Sequence, residues 1–76
     1  MVEAYLLITT ASGTARDVLS DVREVEAVGR ANVIAGEFDL IATVEADETQ
    51  ELLTLVTDEI QSIEAVGRTR TCIVLG

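Results

Sequence analysis

The sequence predicts an α+β fold of two layers, with elements in the order β-α-β-β-α-β. Three observations predict it. Apolar residues alternate in four short runs and recur at helical spacing in two others, in that order. The segment Glu26-Ala27-Val28-Gly29-Arg30 returns as Glu64-Ala65-Val66-Gly67-Arg68, 38 positions later in a chain of 76 residues. Between the copies, Gly36 separates the apolar runs Val28 to Ile34 and Leu40 to Val44, where a glycine backbone lets the chain reverse.

The first strand runs from Val2 to Thr10. Ala4, Leu6 and Ile8 share one side, and Tyr5, Leu7 and Thr9 the other. Both sides are largely apolar, which predicts a central strand. Ser12 is the candidate N-cap of the helix that follows. In that helix Ala15, Val18, Leu19, Val22 and Val25 form the apolar stripe, and Asp17, Asp21 and Glu24 face outward. Arg16 and Arg23 lie among these acids as solvated ion-pair partners, a kind of contact worth little.

The second strand, Ala27 to Ile34, is more polar and carries Gly29, which suits an edge. After the Gly36 turn, Leu40 to Glu45 is apolar on both sides and reads as central. Asp47 and Gln50 have the spacing of a capping box. Leu52, Leu53, Val56, Ile60 and Ile63 form the stripe of the second helix. The last strand runs from Val66 to Leu75, with Thr69, Thr71, Ile73 and Leu75 on one side. At the offset of 38, Val18 meets Val56, Val22 meets Ile60 and Val25 meets Ile63. The repeat therefore predicts two equal, gapless split β-α-β units related by a pseudo-two-fold.

Residues 1–76 make one domain, and the architecture is the ferredoxin-like sandwich. Two helices cover one side of a four-stranded antiparallel sheet. The two central strands are apolar on both sides, so the uncovered side would expose a patch of Leu, Ile, Val and Tyr too large to leave wet, and two subunits are expected to pack sheet to sheet. A chain this short, 49% hydrophobic and without disulfide or metal staples, needs such help.

Composition narrows the function. Fourteen acids stand against five basic residues, all arginine, for a net charge of −9. A nucleic-acid backbone needs a cationic face, so direct binding to nucleic acid is not expected. So acidic a surface repels itself at low salt and predicts adaptation to high salt. There is no run long enough for a membrane span and no signal peptide, which points to the cytoplasm and to no membrane partner. The lone Cys72, without a neighbouring base, reads as a buried inert thiol. With no His, no phosphate-binding glycine loop and no activated serine, no catalytic residue, metal ligand or cofactor is expected.

Three stretches are similar to one family. Gly36-Glu37-Phe38-Asp39-Leu40, Ile63-Glu64-Ala65-Val66 and Thr69-Arg70-Thr71-Cys72-Ile73-Val74-Leu75 resemble the C-terminal effector module of the Lrp/AsnC regulators, the RAM (regulation of amino acid metabolism) domain. Gly36, Phe38 and Asp39 match the family's turn, and Thr69 to Leu75 its last strand. The family's helix-turn-helix has no counterpart before the first strand, so the resemblance is to a stand-alone module. It implies sheet-to-sheet dimers assembling into an octamer or decamer, and an amino acid effector bound between dimers near the turn. Full-length Lrp/AsnC regulators are the implied partners. Backbone N–H groups around Gly36 would hold the carboxylate, Asp39 the ammonium, Thr69 and Thr71 would add hydroxyls, Phe38 would wall the site and Glu37 would rim it. Asp39 equally suits a hydrogen bond inside the turn, and Thr69 and Thr71 a β-branched strand pair. Two other classes stay open: a structural module with a vestigial pocket, and a small dimeric enzyme of this fold.

Overall fold

The computed structural model describes residues 1–76. The elements are β1 (Val2–Thr10), α1 (Ala15–Arg23), β2 (Val28–Val33), β3 (Leu40–Ala46), α2 (Thr49–Leu55) and β4 (Val66–Ile73). A π-helical turn, Val56–Ile60, continues α2. All strand pairs are antiparallel, in the order β2-β3-β1-β4, so the fold is the ferredoxin-like sandwich. The strands with apolar residues on both sides, β1 and β3, are central, and the glycine-containing β2 and β4 are edges.

Alternation on β1 drives one side of the strand into the core. Ala4, Leu6 and Ile8 are fully buried, and their register partners Val44, Ala42 and Leu40 almost so. Val18, Leu19 and Val22 of α1 close over them, joined by Leu52, Val56 and Ile60. With Ala31 these are the thirteen buried residues, every one hydrophobic, so the interior holds no polar machinery.

Both helix starts differ from expectation. The residue before α1 is Thr14, and Ser12 lies in a turn with Gly13 at φ 79°. Thr14 Oγ1 donates back to the Ala11 carbonyl at 2.6 Å, and no side chain caps the helix. The second helix starts one residue late for the Asp47–Gln50 box: Glu48 precedes it, and again no side chain caps it. Leu53 is 43% exposed and Ile63 lies beyond the helical residues, so neither belongs to the buried stripe. Arg23 is no ion-pair partner of nearby acids. Its Nε and Nη2 donate to the Ala31 carbonyl at 3.2 and 2.8 Å, tying α1 to the β2 edge.

The repeat holds in its second part and slips in its first. Val25 N–H donates to Val22 and Val28 N–H to Val25; Ile63 and Val66 do the same to Ile60 and Ile63, at the expected offset of 38. The strand partners do not keep that offset. Ala11 N–H donates to the Ala65 carbonyl, and Glu45 N–H, only 34 positions after Ala11, donates to that of Ala27. The two units are therefore not gapless. The second unit has four more residues between these partners, about one helical turn, and the end of its helix is widened where Gln61 N–H reaches the Val56 carbonyl at 2.9 Å, five residues back.

Candidate functional site

The turn between β2 and β3 is held at one end of the sheet. Asp39 N–H donates to the Ile8 carbonyl at 2.9 Å, extending the β1–β3 ladder past Leu40. Thr10 N–H donates to Asp39 Oδ2 at 2.8 Å, and Ile34 N–H closes the loop on the Asp39 carbonyl at 2.9 Å. One carboxylate oxygen of Asp39 is thus engaged by the fold itself, the turn-stabilising role. Gly36 has φ 154°, where an L side chain is strained, and nothing within 4 Å of where its Cβ would stand. Its backbone is therefore open to approach. Glu37 is exposed and Phe38 half-buried.

Thr69 and Thr71 face Ile8 and Leu6 across the β1–β4 pair, on the helix-covered side. Thr69 Oγ1 accepts from Gln61 Nε2 at 2.8 Å, so that hydroxyl ties β4 to the end of the long helix. Ile8 is the register partner of both Leu40 and Thr69. The Gly36 turn and Thr69 therefore reach the same end of the sheet on opposite flanks of β1, with Thr71 further in. Within one chain none of Gly36, Glu37, Phe38, Asp39, Thr69 and Thr71 lines a cavity. A pocket at this end needs a wall from elsewhere.

Two sites escaped the sequence reading. An open groove of about 430 Å3 runs beside α2, with Ala46 and Leu55 among its apolar lining and Glu45, Glu48, Glu51, Asp58 and Glu59 around it. These acids come from a strand, a loop and a helix, so nothing in their spacing announced the groove. On the uncovered sheet face, a hollow of about 160 Å3 is lined by Tyr5, Arg30, Asn32, Ile41 and Thr43. Period-two alternation on three strands could have found that one. Cys72 also lies on this face, opposite Tyr5, and is exposed rather than buried, because β4 is an edge.

The sequence matches the Lrp/AsnC ligand binding domain family over residues 3–76. The chain belongs to that family. A helix-turn-helix-type transcriptional regulator of Pyrococcus abyssi is 33% identical over 60 residues, which are 79% of this chain and 40% of that protein. The chain thus matches well under half the length of that relative. A hypothetical protein of Pyrococcus horikoshii superposes with a TM-score of 0.91 at 35% identity, over 99% of this chain and 90% of the other. A transcriptional regulator of Neisseria meningitidis in complex with L-Met shares the fold, with a TM-score of 0.88 at 19% identity over 99% of this chain and 50% of that one.

Proposed function

We propose that the chain is an oligomeric amino-acid-binding module of this regulator family. It forms face-to-face dimers that assemble into an octamer or decamer, and it modulates partner regulators, full-length Lrp/AsnC proteins among them, rather than touching DNA itself. The observation that carries this is the Gly36 turn. It is pinned at one end of the sheet by Asp39, its glycine backbone is open, and no cavity closes over it within a single chain. An effector seated against it requires a second subunit, so occupancy and assembly are coupled. The amino acid named with the fold neighbour supports a first trial with L-methionine.

The test is a thermal-shift and calorimetric screen of the standard amino acids. A ligand at 100 times its dissociation constant raises stability by about 2.7 kcal/mol. No shift with any amino acid sinks the sensing role. The second reading, a structural module with a vestigial pocket, is favoured by the engagement of Asp39 with Thr10. It predicts unchanged oligomers in Gly36→Val and no ligand response in the native chain.

A further inference from the structure

The repeat places the same bulge at two points of the sheet. Between β2 and β3 the register shifts and leaves Gly29 and Arg30 opposite Thr43 alone. Between β4 and β1 it shifts in the same way and leaves Gly67 and Arg68 opposite Thr9 alone. In each, the threonine hydroxyl supplies an acceptor where the ladder is interrupted. Thr43 Oγ1 accepts from Arg30 N–H at 2.9 Å, and Thr9 Oγ1 accepts from Arg68 N–H at 2.7 Å.

The two threonines differ in what holds their other flank. Thr43 lies in mid-strand. It pairs with Tyr5, between the pairs of Ala42 with Leu6 and Val44 with Ala4. Thr9 lies past the end of the β1–β3 ladder, whose last pair is Ile8 with Leu40. There Asp39 supplies the hold. Its N–H donates to the Ile8 carbonyl at 2.9 Å and its Oδ2 accepts from Thr10 N–H at 2.8 Å, so it grips β1 on both sides of Thr9. Asp39 Oδ1 takes part in no hydrogen bond within the chain. One carboxylate thus holds a structural N–H with one oxygen and leaves the other for a second donor.

We propose that Asp39 is a switch between the Gly36 turn and β4. Drawing its carboxylate off the Thr10 N–H frees the end of β1, shifts the Thr9 hydroxyl and loosens the bulge at Gly67 and Arg68. Bulges aim the side chains they carry, and Arg68 alternates with Thr69, which faces the helices. The state of the turn is therefore reported by a guanidinium on the uncovered face, across β1 from the turn itself. The inference rests on the sensing role proposed above, in which an effector's ammonium is the group that draws the carboxylate away. The twin bulge at Thr43 has no such release. Ladder pairs on both sides hold it in register, and a segment so enclosed opens less readily than a strand end held by one residue.

The experiment is amide hydrogen exchange of the full chain, resolved by residue with NMR, without any added amino acid. The Arg30 amide is the internal reference, because it makes the same bulge bond in the other unit. Asp39→Ala is expected to speed exchange at Thr10 and Arg68 about tenfold or more relative to Arg30. Thr9→Val keeps the branched shape and removes the acceptor. Coupling is reciprocal, so it is expected to speed Thr10 and Asp39 as well as Arg68, again relative to Arg30. Equal acceleration of Arg68 and Arg30 in Asp39→Ala, or acceleration confined to Thr10, overturns the switch. If Asp39→Ala fails to fold, Thr9→Val decides the matter, and a response confined to Arg68 overturns the switch. The amino-acid screen answers a separate question. A screen without a shift, with Arg68 responding to Asp39→Ala, removes the sensing role and leaves the coupling. Amino acid binding with an unresponsive Arg68 removes the coupling and leaves the sensing role.

Discussion

Gly29 and Gly67, the glycines of the repeated segment, are each held by a threonine. A Cβ on Gly67 would stand 2.7 Å from Thr9 Oγ1, and one on Gly29 would stand 2.9 Å from Thr43 Oγ1. Those hydroxyls accept the next N–H, from Arg68 at 2.7 Å and from Arg30 at 2.9 Å. Moving the threonine to admit a methyl therefore breaks a hydrogen bond. Gly67→Ala is expected to cost about 1–2 kcal/mol in urea unfolding, since the bond contributes about 1 and the crowding adds to it. Thr9→Ala makes room and removes the acceptor, so the double variant should lose less than the sum of the two singles. Ala65 is the non-glycine residue with positive φ, at 75°. Left-handed backbone costs an L residue about 1–2 kcal/mol, and a glycine gives back roughly 0.4–1 to unfolded-state entropy. Ala65→Gly should therefore raise stability by about 0.5–1 kcal/mol. Asp39→Ala removes the acceptor of the Thr10 N–H and should cost about 1–2 kcal/mol, whereas Asp39→Asn keeps an acceptor and should cost less. If Asp39 also holds an ammonium, Asn weakens effector binding while sparing the melting temperature.

At the scale of elements, the second helix departs most from its sequence pattern. Leu52 and Leu53 look alike in the sequence, yet Leu52 is fully buried and Leu53 is 43% exposed. Leu52→Ala should cost about 2–5 kcal/mol, and Leu53→Gln should stay within about 0.5. Equal costs would mean a different helix rotation. Val56 and Ile60, four residues apart on one side of the helix end, both reach the core, and Gln61 just past the π-helical turn donates to Thr69. Strand type and strand position were legible, because alternation and β-branched content are local properties. Caps were not. Ser12 and Asp47 carry suitable side chains, but where a helix starts depends on how it docks, and docking moved both starts past them. The four-residue slip between the units was invisible for the same reason. The gapless match at 38 follows the helix ends and the edge strands, whereas the central strands pair at 34.

For the whole molecule, the acidic surface and the uncovered face pull in opposite directions. Repulsion among 14 carboxylates, offset by only five guanidinium groups, is screened by salt, and the proposed subunit contact over Tyr5, Leu7 and Ile41 would strengthen in salt as well. The melting temperature is expected to climb steadily between about 0.1 and about 2 M KCl. A flat profile would remove the case for salt adaptation. Of the candidate site, the Gly36 turn was legible because glycine, an aromatic residue and an acid are adjacent there. The division of labour around it was not. That Thr69 Oγ1 accepts from Gln61 could not be read from the sequence, since β4 turns that residue to the helix side and only the fold brings the two together.

The order of elements, the composition of the core and the resemblance of the turn came from the sequence alone, because each rests on residues within a few positions of one another. Tertiary structure alone decided which groups are already engaged. Asp39 meets Thr10 across 29 residues and Arg68 meets Thr9 across 59, and Glu3 comes to lie against Glu45. Strand register, a property of the folded sheet, makes those introductions, and a linear pattern with period two fixes which side a residue faces but not which neighbour it meets there.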